Sequence, residues 1–147
     1  MKKAILLPVL LALAACSVSP EEAFAKAKQE FAAHDYVAAR VHLAAYLSAN
    51  PADRDAQLLQ VRTLLALGDG DGAQAALARL TGGKAPSGEL AELSAEAALL
   101  RGVPDAALEM LAQSSGPEAE RLRALAALQK NDPQTAQTHF EAAVAAG

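Results

Sequence analysis

Small residues recur along this chain at a fixed interval, each followed four residues later by a large apolar one. Ala39 precedes Leu43, and the alanine returns 34 residues later at Ala73 and again at Ala107. After a shorter interval of 29 residues it returns once more at Ala136. Residues four apart share one face of an α-helix, so the pattern predicts four helices that present the same kind of face.

Each of these helices follows a short turn, and another segment rich in Ala, in Leu or in both precedes each turn. The turns occupy residues 34–36, 68–70, 102–104 and 131–133. Capping residues and prolines predict where the helices begin and end. The predicted helices cover about residues 20–33, 36–49, 54–67, 70–81, 89–101 and 104–113, with a seventh from Pro117 and an eighth from Pro133 to Gly147.

Composition supports an all-α protein. Apolar residues make up 52% of the 147 residues and are mostly Ala and Leu, whereas aromatic residues make up 3%. Alanine and leucine favour helices. The formal net charge of -4 argues against a nucleic-acid-binding surface. A single cysteine excludes a disulfide within the chain.

Residues 1–15 have the pattern of a secretory signal peptide. Lys2 and Lys3 give a positive start, an apolar run follows, and the segment is too short to anchor stably in a bilayer as a helix. The end of this segment resembles the lipobox of bacterial lipoproteins. The lipobox residues are Leu13, Ala14, Ala15 and Cys16. The alternative is an ordinary signal peptide that happens to be followed by a cysteine.

The lipoprotein resemblance implies cleavage before Cys16 and a diacylglyceryl group on its thiol, with residues 16–19 as a lipidated tether. Several acyl chains anchor a protein durably to a membrane. Ser17 stands where an aspartate favours retention in the inner membrane in enterobacterial-type sorting. For a Gram-negative source we therefore expect an outer-membrane lipoprotein that faces the periplasm.

The period of 34 residues, with one helix–turn–helix in each unit, resembles the tetratricopeptide repeat family from about Pro20 to the end of the chain. The first helices depart from the family pattern, because other residues replace its bulky aromatic residue and its Leu-Gly pair. The resemblance implies an all-α, right-handed superhelix of about four antiparallel helix pairs, in residues 20–53, 54–87, 88–116 and 117–147. It also implies a domain that binds a protein or peptide.

In that family the first helix of each pair lines a concave groove. By register, nine side chains of this chain are expected to line it: Phe24, Lys28, Phe31, Leu58, Arg62, Leu65, Glu92, Glu96 and Arg121. One half of this surface is basic and apolar and the next is acidic, which suits an extended or helical peptide. The alternative is that Phe31 and Leu65, with their counterparts Leu99 and Leu128, form the core between repeats.

The sequence motifs that are similar to catalytic or metal-binding sites each lack residues that such a site requires. The Asp-Gly-Asp-Gly run at residues 69–72 is similar to a calcium loop, but Ala73 and Leu80 stand where ligands belong. Residues 82–84 lack the first glycine and the Ser or Thr of a phosphate loop, so we interpret them as a linker. The histidines are scattered, and no nucleophile–base set can be assembled with Cys16 acylated. We expect no enzyme, no metal and no cofactor.

Among lipid-anchored members of the family, two kinds look similar. Residues 32–40 and 64–70 look most like the repeat lipoproteins of PEP-CTERM exosortase systems, and Flp pilus-assembly lipoproteins come next. Both imply a scaffold for assembly of the cell envelope, in pilus, secretion or exopolysaccharide machinery. The alternative is a non-catalytic regulator of a periplasmic cell-wall or polysaccharide enzyme.

The last helix carries a further expectation, because the sequence stops at Gly147 directly after it. Four apolar residues of this helix are expected to face the preceding helix or its packing groove: Ala136, Phe140, Ala143 and Val144. Either small alanines close this end, or apolar residues such as Leu128 are covered by a partner or by a second copy in a homo-oligomer.

We predict that Cys16→Ala releases the protein from the membrane or stalls its processing, because the thiol that receives the lipid is lost. Metabolic labelling with a palmitate analogue should mark the wild-type protein and a Ser17→Ala control, but not the Cys16→Ala protein. Incorporation of label into Cys16→Ala would contradict the lipobox interpretation.

Overall fold

The computed structural model describes residues 19–147, so the signal segment, the lipobox and Cys16 lie outside the described residues. Residues 19–147 form eight α-helices and no strand, which confirms the all-α prediction. The helices are α1 (Pro20–Ala32), α2 (Tyr36–Ala49), α3 (Arg54–Ala66), α4 (Gly70–Thr81), α5 (Glu89–Leu100), α6 (Pro104–Met110), α7 (Pro117–Gln129) and α8 (Pro133–Ala146). They pack as four helix pairs, α1–α2, α3–α4, α5–α6 and α7–α8, which stack in chain order.

One turn geometry joins the two helices of every pair. The backbone N–H after the turn returns to a carbonyl of the first helix; that of Asp35, for example, donates to Glu30 at 2.9 Å. This closure needs a residue in the left-handed conformation just before it, and it satisfies carbonyls that the helix end leaves unpaired. The left-handed residues are His34 (φ 61°), Gly68 (φ 74°), Gly102 (φ 72°) and Asn131 (φ 58°).

Side-chain caps then fix where the helices begin. Asp35, Asp69 and Asp132 directly follow a left-handed residue, and each carboxylate accepts the N–H three residues on, at 2.8–3.1 Å. Ser19 and Asp53 cap α1 and α3 in the same way, at 3.2 and 3.0 Å. Such caps satisfy the free N–H groups of a first turn. The run at residues 69–72 thus starts α4 with a side-chain cap, at the predicted turn of residues 68–70.

The core forms where small residues let helices approach. At the eight crossing positions, one on each helix, the side chain is at most 1% exposed. These residues are Ala27, Ala39, Val61, Ala73, Ala95, Ala107, Ala124 and Ala136. Leu43, Leu77 and Leu111 pack beside them and are at most 4% exposed. The apolar clusters lie between Phe24 and Ala126, so residues 19–147 carry a core of their own.

Helix α6 ends at Met110, three residues before the predicted end, so that boundary was wrong. The guanidinium of Arg123, on α7, donates to the carbonyls of Leu111 and Ser114, both at 2.7 Å. It also donates to Glu120 at 2.6 Å. An arginine from the next pair thus satisfies carbonyls that a longer α6 would have bonded itself.

In the part of the chain that the structure describes, every helix falls short of the length and apolar character that crossing a bilayer requires.

We predict that Ala73→Leu destabilises the protein by roughly 1–3 kcal/mol, because the larger side chain overpacks the α3–α4 crossing. Ala75→Leu makes the same change on the exposed side of α4, where the effect should stay within about 0.5 kcal/mol. Urea unfolding followed by circular dichroism measures both. Equal midpoints for the two variants would place Ala73 away from the crossing.

Candidate functional site

The first helices of the four pairs line one side of the stack. α1, α3, α5 and α7 contact one another in order, whereas the second helices of residues 19–147 do not contact each other. The first helices therefore form the inner side of the stack, which we call the inner surface. This is the side on which sequence register placed the nine candidate side chains.

At the α1 end of the inner surface, a cation and two aromatic rings stack in sequence. The ammonium of Lys28 lies 4.6 Å from the centroid of the Phe24 ring. Phe24 in turn stacks on Tyr46, with centroids 4.6 Å apart and 16° between the ring planes. These contacts hold Phe24 half-buried while Lys28 stays exposed. This end therefore offers a preformed apolar surface with a positive charge above it.

The Tyr46 hydroxyl extends this stack to α3. It donates to Asp53 at 2.6 Å, and Asp53 is also the cap of α3. The hydrogen bond from Tyr46, followed by that from the Ala56 N–H, lowers the pKa of Asp53. The same hydrogen bond raises the pKa of Tyr46. Inner-surface residues of the first pair are thus connected to the start of the second.

The apolar candidates divide between surface and core. Leu65 is 7% exposed and belongs to the core that joins α3, α4 and α5, so its assignment to the groove was wrong. Leu99, its counterpart, is 6% exposed, and here too the alternative of an inter-repeat core is confirmed. Phe31 is half-buried, and its ring centroid lies 5.3 Å from that of Tyr36. Leu58 is half-buried against the core that contains Leu65.

The charged candidates are partly neutralised. Arg62 pairs with Glu89 at the start of α5. Arg121 donates twice to Glu118, at 2.8 and 2.6 Å, and this bond raises its pKa. Sequence reasoning missed both partner carboxylates. A sequence signal for these partners exists, because Glu89 and Glu118 lie in the first turns of α5 and α7, where acidic residues are common.

Glu92 and Glu96 lie one turn apart on α5, in the middle of the inner surface, and both are half-buried. Burial raises the pKa of Glu96, and the charge of Arg121 partly opposes that shift. The ion-paired carboxylates of residues 19–147 do not include these two. The inner surface thus has positive charge at Lys28 and unpaired negative charge on α5.

The comparisons with known proteins address this architecture. Residues 30–97 match the tetratricopeptide repeat family. The matched stretch runs from the end of α1 into α5, and the helix pair beyond it repeats the same turn and crossing residues. The match supports a tetratricopeptide repeat protein, a class of generally non-catalytic scaffolds that bind protein partners. No protein of curated function matches the chain.

The last helix pair, α7–α8, differs from the others in how exposed its large apolar side chains are. Leu128 is 49% exposed and Phe140 36%, although their counterparts in the second and third pairs are at most 7% exposed. Val144 is 83% exposed, so the expectation that it faces α7 was wrong. Leu128 and Phe140 are exposed because the next pair buries their positions in the earlier repeats, and within residues 19–147 no pair stacks on α7 and α8.

The histidines of α2 and α8 bond to carboxylates. In residues 19–147 no three or more His, Cys, Asp or Glu side chains are grouped as metal ligands would be. His42 and His139 instead bond to Glu30 and Glu120, each at 2.7 Å.

We predict that Tyr46→Phe lowers the melting temperature at pH 7, because the ring stack and the Ala56 N–H bond remain but Asp53 loses the hydrogen bond from the Tyr46 hydroxyl. A carboxylate whose folded pKa is lowered stabilises the fold above its ordinary pKa, here 3.8, and that contribution disappears as the pH falls through the lowered value. The difference between wild type and Tyr46→Phe should therefore shrink below pH 3.8. Tyr36→Phe, which leaves Asp53 untouched, is the control for this pH dependence, and a difference that is constant with pH would contradict the assignment.

Proposed function

We propose that this protein is a lipid-anchored, non-catalytic scaffold that binds a protein partner during assembly of the cell envelope. The observation that supports binding most directly is the order of groups along the inner surface. Lys28 and its aromatic stack lie at one end, half-buried Leu58 follows, and Glu92 and Glu96 lie beyond. An extended or helical peptide with an acidic end, an apolar middle and a basic segment complements this order.

Ion pairs within the inner surface make this order of charges simpler. Glu89 and Glu118 neutralise Arg62 and Arg121. Among the nine candidate side chains, the charges that remain for a partner are therefore those of Lys28 and the two α5 carboxylates. A basic side chain that reaches Glu96 gains in addition from the partial burial of that carboxylate, since electrostatic attraction is stronger away from water.

The proposed location of the protein in the cell is inferred from its resemblance to a lipobox. Acyl chains on Cys16 would attach the body to a membrane, and the sequence favours the outer membrane of a Gram-negative cell. The three residues between Cys16 and Pro20 can span only about 10 Å when extended. The scaffold would therefore work next to the lipid headgroups, where pilus, secretion or exopolysaccharide machinery crosses the envelope. Regulation of a periplasmic cell-wall or polysaccharide enzyme is the alternative, and it uses the same surface.

Photo-crosslinking of envelope fractions tests the inner surface. A photoreactive residue at Leu58 should capture a defined partner, whereas one at Arg40, exposed on α2, should not. Glu92→Lys combined with Glu96→Gln should reduce capture at Leu58 severalfold, because the charge order is lost. Glu92→Gln alone, which removes a charge without reversing it, should have a smaller effect.

The outcomes distinguish the alternatives. Capture of pilus, secretin or export subunits favours the assembly scaffold, and capture of a cell-wall or glycan enzyme favours the regulator. Equal capture at Leu58 and Arg40, with folded protein in both cases, would exclude the inner surface as the binding site.

The outward face of α7 and α8 supports a second proposal, self-association. Phe140 and Val144 form an exposed apolar patch on α8. The register of the repeats shows what such a face accepts, because the equivalent faces earlier in the stack are covered by apolar residues of the next first helix, such as Leu90 and Leu93. In α1 the equivalent positions carry exposed Glu22, Ala25 and Gln29. Head-to-tail stacking is therefore unfavourable, and two copies would meet through their α8 faces.

We predict that residues 17–147 sediment as a dimer at tens of micromolar and that Val144→Glu makes them monomeric. Val41→Glu, at a valine that is 60% exposed on α2, is the matched control and should leave the dimer intact. Analytical ultracentrifugation measures the oligomeric state. A wild-type protein that is monomeric at that concentration would contradict the proposal of self-association.

A further inference from the structure

On the side of the stack away from the inner surface, a cleft of about 250 Å³ lies between α4 and α6, with α5 as its floor. A neighbouring hollow of about 460 Å³ shares Pro86 and Met110 with it. The cleft exists because α6 has 7 residues, whereas α2, α4 and α8 have 14, 12 and 14. The missing half of α6 leaves α4 and α5 uncovered, and linker residues 82–88 pass over the gap.

The walls of the cleft are apolar and small. Leu77 and Ala78 of α4 face Ala106 and Met110 of α6, above Ala98 of α5. Methionine is flexible and adapts to the shape of an apolar ligand. These residues provide a narrow slot lined by methyl and methylene groups.

The hydroxyl groups in the cleft have their donors in use. Ser94 donates to the Leu90 carbonyl at 2.6 Å, and Thr81 donates to Ala78 at 3.4 Å. Gln74 also lines the cleft but is exposed to solvent, so a sugar or a peptide backbone along Leu77, Ala78 and Ala98 would leave polar groups without partners, at a free-energy cost. An alkyl chain has no such requirement, so the lining favours a hydrocarbon chain.

Positive charge stands at both ends of the slot. Lys84 follows the end of α4, whereas Arg101 lies beside Gly70 at the start of α4, and both line the cleft. Ser94 and Arg101 are seven residues apart on α5, about 10 Å along the helix axis. Arg101 is already paired with Asp71 at 2.7 Å. The lysines in ion pairs within residues 19–147 are Lys26 and Lys130, so the ammonium of Lys84 is available to a ligand.

We propose that this cleft binds a single-chain fatty acid of medium length, with its alkyl chain along Ala98 and its carboxylate at Lys84. With a volume of about 250 Å³, the cleft suits one alkyl chain better than the two chains of a phospholipid. The site lies on the opposite side of α5 from Glu92 and Glu96, so it is separate from the proposed peptide surface and does not depend on that function.

Met110 gives a direct measurement, because it is the only methionine among residues 2–147. Residues 17–147, labelled with ¹³C at the methionine methyl, are titrated with decanoate below its critical micelle concentration. The Met110 methyl signal should shift in a saturable manner. Decanol, of equal chain length but without charge, should bind about tenfold more weakly, because the charge-assisted contact to Lys84 is absent.

Three variants locate the site. Lys84→Glu should weaken decanoate binding about tenfold or more, because attraction becomes repulsion. Lys26→Glu is the same change on α1 and should leave the affinity unchanged. Ala78→Trp, at an exposed position on the cleft wall, should fill the slot and abolish the shift without disturbing the core. Circular dichroism confirms that each variant is folded.

Several results would overturn the proposal. These are the absence of a saturable shift, equal affinity for decanol and decanoate, or equal loss in Lys84→Glu and Lys26→Glu. A shift produced by phosphatidylglycerol vesicles but not by decanoate would assign the cleft to bilayer lipid and would also overturn it.

Discussion

Close approach of helix backbones at eight small positions is the constraint on which the rest of this structure depends. Seven of these residues are alanine and one is valine, and all are essentially inaccessible to solvent. A first helix must contact its own partner, the preceding pair and the next first helix. Only short side chains at the crossings allow all three contacts, and leucines then fill the space around them. Small side chains at the crossings therefore determine how the helices stack, as much as the leucines that fill the space around them.

The turns make these crossings repeat. A left-handed residue followed by a capping aspartate reverses the chain within three residues and fixes the rotation of the second helix relative to the first. His34 and Asn131 serve this role although they are not glycine, and asparagine and histidine tolerate that conformation better than most residues. In the third pair Val103 and Pro104 replace the aspartate cap, and proline at the first helical position compensates because its missing N–H needs no partner.

Local features of this kind could be predicted from the sequence, and features that need a distant partner could not. Helix starts at Ser19, Asp35 and Asp132 follow from residues within one turn of the boundary. Leu65 and Leu128 occupy the same register position, yet one is buried and the other half exposed, because burial there depends on the pair that follows. The early end of α6 depends on Arg123 in the next pair. The pairing of Arg62 with Glu89 likewise joins two repeats, so the charge order of the inner surface could be predicted only in outline.

The two candidate sites meet in α5. Successive residues of a helix are rotated by about 100°, so Glu96 and Ala98 project from nearly opposite sides of the same turn. The junction between the second and third pairs is held by the apolar core that joins α3, α4 and α5, whereas the exposed Arg62–Glu89 pair there adds little stability. A chain bound in the cleft would contact both α4 and α6 and would therefore hold these pairs in one relative position. A peptide bound to the inner surface as proposed would contact the same two pairs. A ligand that fixes their geometry at one site would then lower the ordering cost of binding at the other, which is the condition for coupling between separate sites.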